Sequence, residues 1–170
     1  IVFDLEWNQC PYGKGQENER IPFEIIEIGA VKLNEEREKV SEFHRIIRPC
    51  VYRQMHRIIS EVTHVSIEEL ERDGEPFTAV MEDFLRWCGD DYMFCTWGSM
   101  DLTELQRNMV YHGVTIPFPK PFLFYDIQKL YSLCYQDGKA RISLDEAVES
   151  FALDVDAPFH RALGDAEYTG

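Results

Sequence analysis

Ile1-Val2-Phe3-Asp4-Leu5-Glu6-Trp7 opens the chain, with Ile1, Phe3, Leu5 and Trp7 falling on one side and Asp4 and Glu6 on the other. A period of two is the period of a strand. Both acids therefore share one face, about 7 Å apart along it by the rise of an extended chain. Alternating charges on an exposed strand face are common. These two, however, interrupt an otherwise apolar segment, where a carboxylate is costly unless a cation or a donor answers it. The pair calls for a partner elsewhere in the chain.

Outward from this strand, residues 10 to 22 carry Pro11, Gly13, Gly15 and Pro22 among charges and read as a loop. Phe23 to Leu33, rich in Ile and Val, predicts a second strand, and Val40 to Arg48, ahead of Pro49, a third. Short connections make the three an antiparallel meander. From about residue 53 the pattern turns helical. Ser66 with Glu69 matches a capping box, and Phe77, Val80, Met81, Phe84, Leu85 and Cys88 keep helical spacing. Tyr92 to Trp97 reads as a short strand, and Leu102, Leu105 and Met109 as a helix ending near Gly113. Pro117, Pro119 and Pro121 mark a loop. Helices follow over Ile127 to Tyr135 and Leu144 to Ala152, the second opened by Ser143 with Glu146, and a last one starts near residue 160. Three strands, helices, a strand and more helices give an α/β mixed sheet, three antiparallel strands plus parallel ones, flanked by helices.

The chain has 170 residues, 45% of them hydrophobic, with 11 Phe, 8 Tyr and 3 Trp. That supplies one core and predicts a single domain over 1–170, its last helix cut short at Gly170. The longest apolar runs are far below the roughly 20 residues that span a bilayer. Seventeen Lys and Arg against 31 Asp and Glu give a net charge of −14, which excludes a simple basic-patch binder. The five cysteines, Cys10, Cys50, Cys88, Cys95 and Cys134, form no CxxC pair and no Cys/His cluster, as expected of a cytoplasmic protein in a reducing compartment.

Two further places carry chemistry. Asp101 in Thr96-Trp97-Gly98-Ser99-Met100-Asp101 follows a strand and opens a helix, where open α/β sheets place ligands; capping of that helix is the plainer role. In His160-Arg161-Ala162-Leu163-Gly164-Asp165, five residues on a helix rotate by about 140°. His160 and Asp165 can converge only if His160 lies ahead of the helix, and Pro158 favours a loop there.

Together these pieces resemble the DEDDh branch of the DnaQ-like 3′-to-5′ exonucleases, with Asp4-x-Glu6, Asp101 and His160-x-x-x-x-Asp165 as its three motifs. Glu24-Ile25-Ile26-Glu27-Ile28-Gly29-Ala30-Val31 looks like the second strand of that family, and Thr96 to Asp101 is similar to its Eri-like and KapD-like subgroup. The resemblance implies an RNase H-like fold and release of nucleoside 5′-monophosphates from single-stranded ends, RNA favoured over DNA. It also implies two divalent cations, Mg²⁺ or Mn²⁺, held by Asp4, Glu6, Asp101 and Asp165, with His160 as the general base. Hard oxygen ligands select such ions, and two of them would bring the net charge to about −10. The expected substrate contacts are Leu5, Trp7, Tyr12, Glu24, Trp97 and Arg161, with Lys14, Arg20, Arg107 and Arg141 as further phosphate candidates. Trp7 and Trp97 also suit core positions, and Glu24 or Glu27 is expected beside Asp4. A monomer is the default. The alternatives are a silent domain of this fold that binds RNA or protein, and an oligoribonuclease-like enzyme.

Overall fold

A computed structural model of the chain describes residues 1–13, 15–153, 155 and 159–170. The strands are β1 (Val2–Gln9), β2 (Phe23–Leu33), β3 (Lys39–Ile46), β4 (Phe94–Thr96) and β5 (Phe124–Asp126). They form one sheet in the order β3-β2-β1-β4-β5. β1–β2 and β2–β3 are antiparallel, whereas β1–β4 and β4–β5 are parallel. The helices are α1 (Arg57–Thr63), α2 (Ile67–Asp73), α3 (Phe77–Cys88), α4 (Met100–Tyr111), α5 (Ile127–Tyr135), α6 (Leu144–Ser150) and α7 (Ala162–Thr169). The expected mixed sheet with its antiparallel meander is present.

The alternation of β1 decides the layering. Phe3 and Leu5 point into the main core with Ile25, Ile28 and Ala30 of β2, Phe43 of β3 and the apolar stripes of α3 and α4. Phe3 meets Phe84 and Phe94 edge-on, at centroid distances of 6.1 and 5.0 Å. Ile26, Val65 and Leu70 build a smaller cluster under α1 and α2, with Ile46 packed against it. Ile46 pairs with Glu27 and Glu27 with Glu6, so this cluster lies on the face that carries the acids of β1.

Helix α7 covers the same face, against β1 and β2. Its approach depends on Gly29, the cross-strand partner of Asp4, because a Cβ there would fall on the backbone of Ala162 and Leu163. Helix α4 is stitched to the sheet by Asn108, which accepts from the Ile25 N–H at 3.1 Å and donates to the Phe23 carbonyl at 2.9 Å. Gly98, at φ +91°, makes the turn from β4 into α4.

Several local readings change. β5 occupies Phe124–Asp126, where a proline loop leading into a helix was expected; the Asp126 side chain still caps α5, accepting from the Lys129 N–H at 2.8 Å. The strand expected over Tyr92–Trp97 shortens to Phe94–Thr96, and the helix expected to reach Ala152 stops at Ser150, with Ala152 at φ 51°. The box at Ser143 and Glu146 is complete, whereas at Ser66 the side chain accepts from the Glu69 N–H at 3.1 Å. Among the described residues, no helix is long and apolar enough to cross a membrane.

Candidate active site

Four acids from three elements converge on the face under α7. Asp4 and Glu6 come from β1. Because β4 runs parallel to β1, the helix that leaves it brings Asp101 over the strand, where its Oδ1 accepts the Leu5 N–H at 3.2 Å. Asp165, in the first turn of α7, accepts the backbone N–H of His160 on Oδ2 at 3.1 Å. His160 lies ahead of the helix at φ +63°, so the backward turn of the chain joins the two residues that a continuous helix would separate. Side-chain donor atoms of Glu6, His160 and Asp165 lie within 4.8 Å of one another. Asp165 Oδ1 is buried and has no hydrogen-bond partner among the described residues.

Burial and mutual repulsion dominate the electrostatics of these acids. Burial, and then the charges of Asp101, Glu6 and Asp165, push the Asp4 carboxyl well above the usual carboxylate range. Burial followed by the charges of Asp165, Glu27 and Asp101 raises Glu6 to about 8. Burial raises Asp101 to about 7 even though backbone N–H groups, its own and that of Leu5, favour its charge. Burial raises Asp165 to about 6 against the pull of the His160 N–H.

These raised values set a pH dependence. Between its ordinary value near 4 and its folded value, each acid binds more protons folded than unfolded, so its contribution to stability falls as pH rises through that window. In chelator, the melting temperature is expected to fall between pH 5 and 8, with the slope flattened by Asp101→Asn and by added Mg²⁺ or Mn²⁺. Melts whose slope ignores both the substitution and the ions would overturn this account.

Beside the acids stands a charge network. Glu27, 2% exposed, accepts from Arg161 Nε and Nη2 at 3.1 Å and faces His44 Nε2 at 2.6 Å. Burial works to raise its carboxyl, but the hydrogen bonds to His44 and Arg161 hold it below its ordinary value. The clamp ties the chain next to His160 to the centre of the sheet. Arg161→Ala is expected to destabilise the fold by about 2 kcal/mol; the full cost of orphaning a buried partner is reduced because His44 remains and Arg161 is 35% exposed. Arg161→Lys should recover part of this loss, since an ammonium cannot bind both carboxylate oxygens in the same fork. Urea melts of both variants check the order.

The structure thus brings together Asp4, Glu6, Asp101, His160 and Asp165, with the Leu5 N–H on Asp101. Glu24, Trp7 and Trp97 are engaged within the protein. Glu24 is not beside Asp4: it is buried, and its carboxylate accepts the N–H groups of Cys50, Val51 and Tyr52 at 2.6 to 2.9 Å. Trp7 packs on the core and against the Phe23 ring at 5.8 Å. Trp97 donates to the Ile142 carbonyl at 3.2 Å and packs on Tyr131. Arg161 is bound to Glu27, and Tyr12 is 61% exposed on its loop. Lys14 and Pro158 lie outside the described residues. The sequence reading missed His44, whose signal is its register: it faces Gly29 across β2 and β3, on the side of Glu27.

Residues 1–170 match the exonuclease family model RNase_T. The chain is 27% identical over 171 residues to the probable 3′-5′ exonuclease KapD of Bacillus subtilis (strain 168), covering 98% of this chain and 78% of that protein. Among solved structures, it is similar to the nuclease domain of 3′hExo, a DEDDh family member, bound to rAMP. The TM-score is 0.80 at 23% identity, over 98% of this chain and 85% of that one. A 3′-exonuclease that recognises the histone mRNA stem-loop gives a TM-score of 0.79 at 21% identity, over 98% and 76%. E. coli exonuclease I in complex with a dT13 oligonucleotide gives 0.77 at 14% identity, over 98% and 38%.

Proposed function

The chain belongs to the RNase_T exonuclease family, and from that premise we propose that it removes nucleoside 5′-monophosphates one at a time from the 3′ end of single-stranded nucleic acid, RNA in preference to DNA. The observation that carries this reading is the convergence of Asp4, Glu6, Asp101 and Asp165 under α7 with His160 at their edge.

The donor set fits divalent metal. Oxygen-rich ligands suit Mg²⁺ or Mn²⁺, and the buried Oδ1 of Asp165 is a ligand atom that nothing among the described residues answers. Asp4, Glu6, Asp101 and Asp165 would hold two such ions. When bound, the ions supply an activated water and neutralise the charge that develops on the departing oxygen.

The chain's own residues do the rest. His160, exposed on the loop before α7, takes the proton from the attacking water, a transfer from solvent to a positioned imidazole. The Leu5 N–H holds Asp101 in place, and the His160 N–H holds Asp165, so two acids are oriented by backbone. The Glu27 and Arg161 clamp fixes the chain on which His160 turns. Preference for RNA draws on the rAMP and histone mRNA ligands of two neighbours. Preference for a free single-stranded end draws on the charge, since an acidic body meets fewer phosphates there than along a duplex. The free cysteines fit the cytoplasm.

A denaturing-gel time course on 5′-labelled RNA and DNA of one sequence, with Mg²⁺, Mn²⁺ or chelator, tests the reading. A metal-dependent ladder shortening from the 3′ end, faster on RNA, is expected. No ladder on either strand would transfer the reading to a silent nucleic-acid-binding domain.

A further inference from the structure

We infer that the chain from His56 and Arg57 back through Arg53 to Arg48 is a track for the sugar-phosphate backbone of the substrate strand upstream of its scissile end, an inference that rests on the exonuclease reading of the acids. In a chain of net charge −14, residues 43–60 contain Arg45, Arg48, Arg53 and Arg57, with His44 and His56, and no Asp or Glu. Elsewhere the cations near the sheet are engaged. Arg107 pairs with the buried Glu104 at 2.8 Å, Arg141 with Asp126 at 3.1 Å and Arg161 with Glu27, while Arg20 lies over the Tyr111 ring at 5.5 Å.

The segment is fastened to the strand that bears the acids. Asn8, two residues beyond Glu6 and of the same parity, donates to the Gln54 carbonyl and accepts the His56 N–H, each at 2.9 Å. Glu24 gathers the N–H groups of Cys50, Val51 and Tyr52, turning its charge inward. The chain thus crosses the end of β1 and β2 and enters α1 on the face of Glu6, since Ile59 of α1 packs with Ile26 and Ile46 there.

Its cations are available. Arg57 has 82% of its side chain exposed and only a surface pair with Glu61 at 3.3 Å. Arg53 is exposed and forms no ion pair among the described residues. Arg48 donates Nη2 to the Gly74 carbonyl at 2.7 Å and, with Arg53, Thr78 and His112, lines a cavity of about 190 Å³ that has no acid in its wall. Arg45, on β3 ahead of the crossing, pairs with Glu75 at 3.5 Å and is outside the track, whereas Arg48 begins the crossing from the α3 and α4 side. Spaced arginines leading away from a metal-binding acid cluster match a strand whose end is held by the acids and whose phosphates continue past them.

The test compares wild type with a combined Arg48→Ala, Arg53→Ala, Arg57→Ala variant and with the single variant Arg53→Glu. Affinity for a fluorescein-labelled oligouridylate of about 20 nucleotides is measured in Ca²⁺ across a range of salt, and cleavage of that strand and of diuridylate in Mg²⁺. The triple variant is expected to bind the long strand about tenfold more weakly, with a salt slope shallower by about 2. Its kcat/KM should fall about tenfold on the long strand and less than about twofold on the dinucleotide, and Arg53→Glu should likewise weaken binding of the long strand while sparing the dinucleotide. Unchanged affinity and slope would overturn the proposal, as would equal losses on both lengths, which mark a defect in the site or the fold. Wild type that cleaves neither substrate would sink the exonuclease reading instead, and the binding arm would still decide the track.

Discussion

Asp101→Asn is expected to lower kcat/KM by about three orders of magnitude, the loss of several kcal/mol of transition-state stabilisation that a charged ligand gives, and in chelator to raise the melting temperature. The opposite signs come from one cause. Asn retains an Oδ1 that can accept the Leu5 N–H at the present 3.2 Å, so the stitch between α4 and β1 survives. What disappears is a buried charge, and Asp101 is the largest charge acting on Asp4 after burial itself. Removing one of four mutually repelling acids relieves the fold even as it strips the proposed site of a ligand. Steady-state kinetics on a short oligonucleotide and thermal melts in chelator check both halves. Turnover within tenfold of wild type, or a lower melting temperature in chelator, would show that Asp101 belongs to the scaffold.

The fold was most legible where apolar runs have clear ends. β2 spans Phe23–Leu33 as read, bounded by Pro22 and Asn34, and α5 spans Ile127–Tyr135 with Asp126 at its cap. It was least legible where an element is short and its partner distant. β5 has three residues behind a proline loop, and its existence is settled by pairing with β4 some thirty positions earlier. Likewise Ser66 marks the start of α2, but the end of α1 rests on His64 turning left-handed at φ 57°, a conformation that local pattern does not announce.

At the site the same limit acts on chemistry. Asp4, Glu6, Glu24 and Glu27 all break an apolar strand, so each violates its local pattern equally. Their environments divide them. Glu24 meets three backbone N–H groups and Glu27 meets Arg161 and His44, whereas Asp4 and Glu6 meet other carboxylates. Which answer lies opposite is a matter of register and of helix approach, fixed by Gly29 and by the bulge between Glu6 and Trp7. Read along the chain, Gly29 is one small residue in an apolar strand, yet no other residue admits the α7 backbone and with it Asp165.

His160→Asn is expected to lower kcat by about 10²- to 10⁴-fold, the range for loss of a positioned general base, with KM changed far less. Asparagine is the informative choice because the position sits at φ +63°, where Asn and His are tolerated and Ala adds strain. The hydrogen bond to Asp165 Oδ2 comes from the backbone of residue 160, so any side chain preserves it. The substitution therefore removes the imidazole and leaves the acids where they are. An unchanged stability increment from added Mn²⁺, measured beside the kinetics, confirms that the ligands are intact. A variant with near-wild-type kcat would take the proton-accepting role away from His160. A variant that loses both kcat and the Mn²⁺ increment would make it a ligand, in keeping with its place within 4.8 Å of the donor atoms of Glu6 and Asp165.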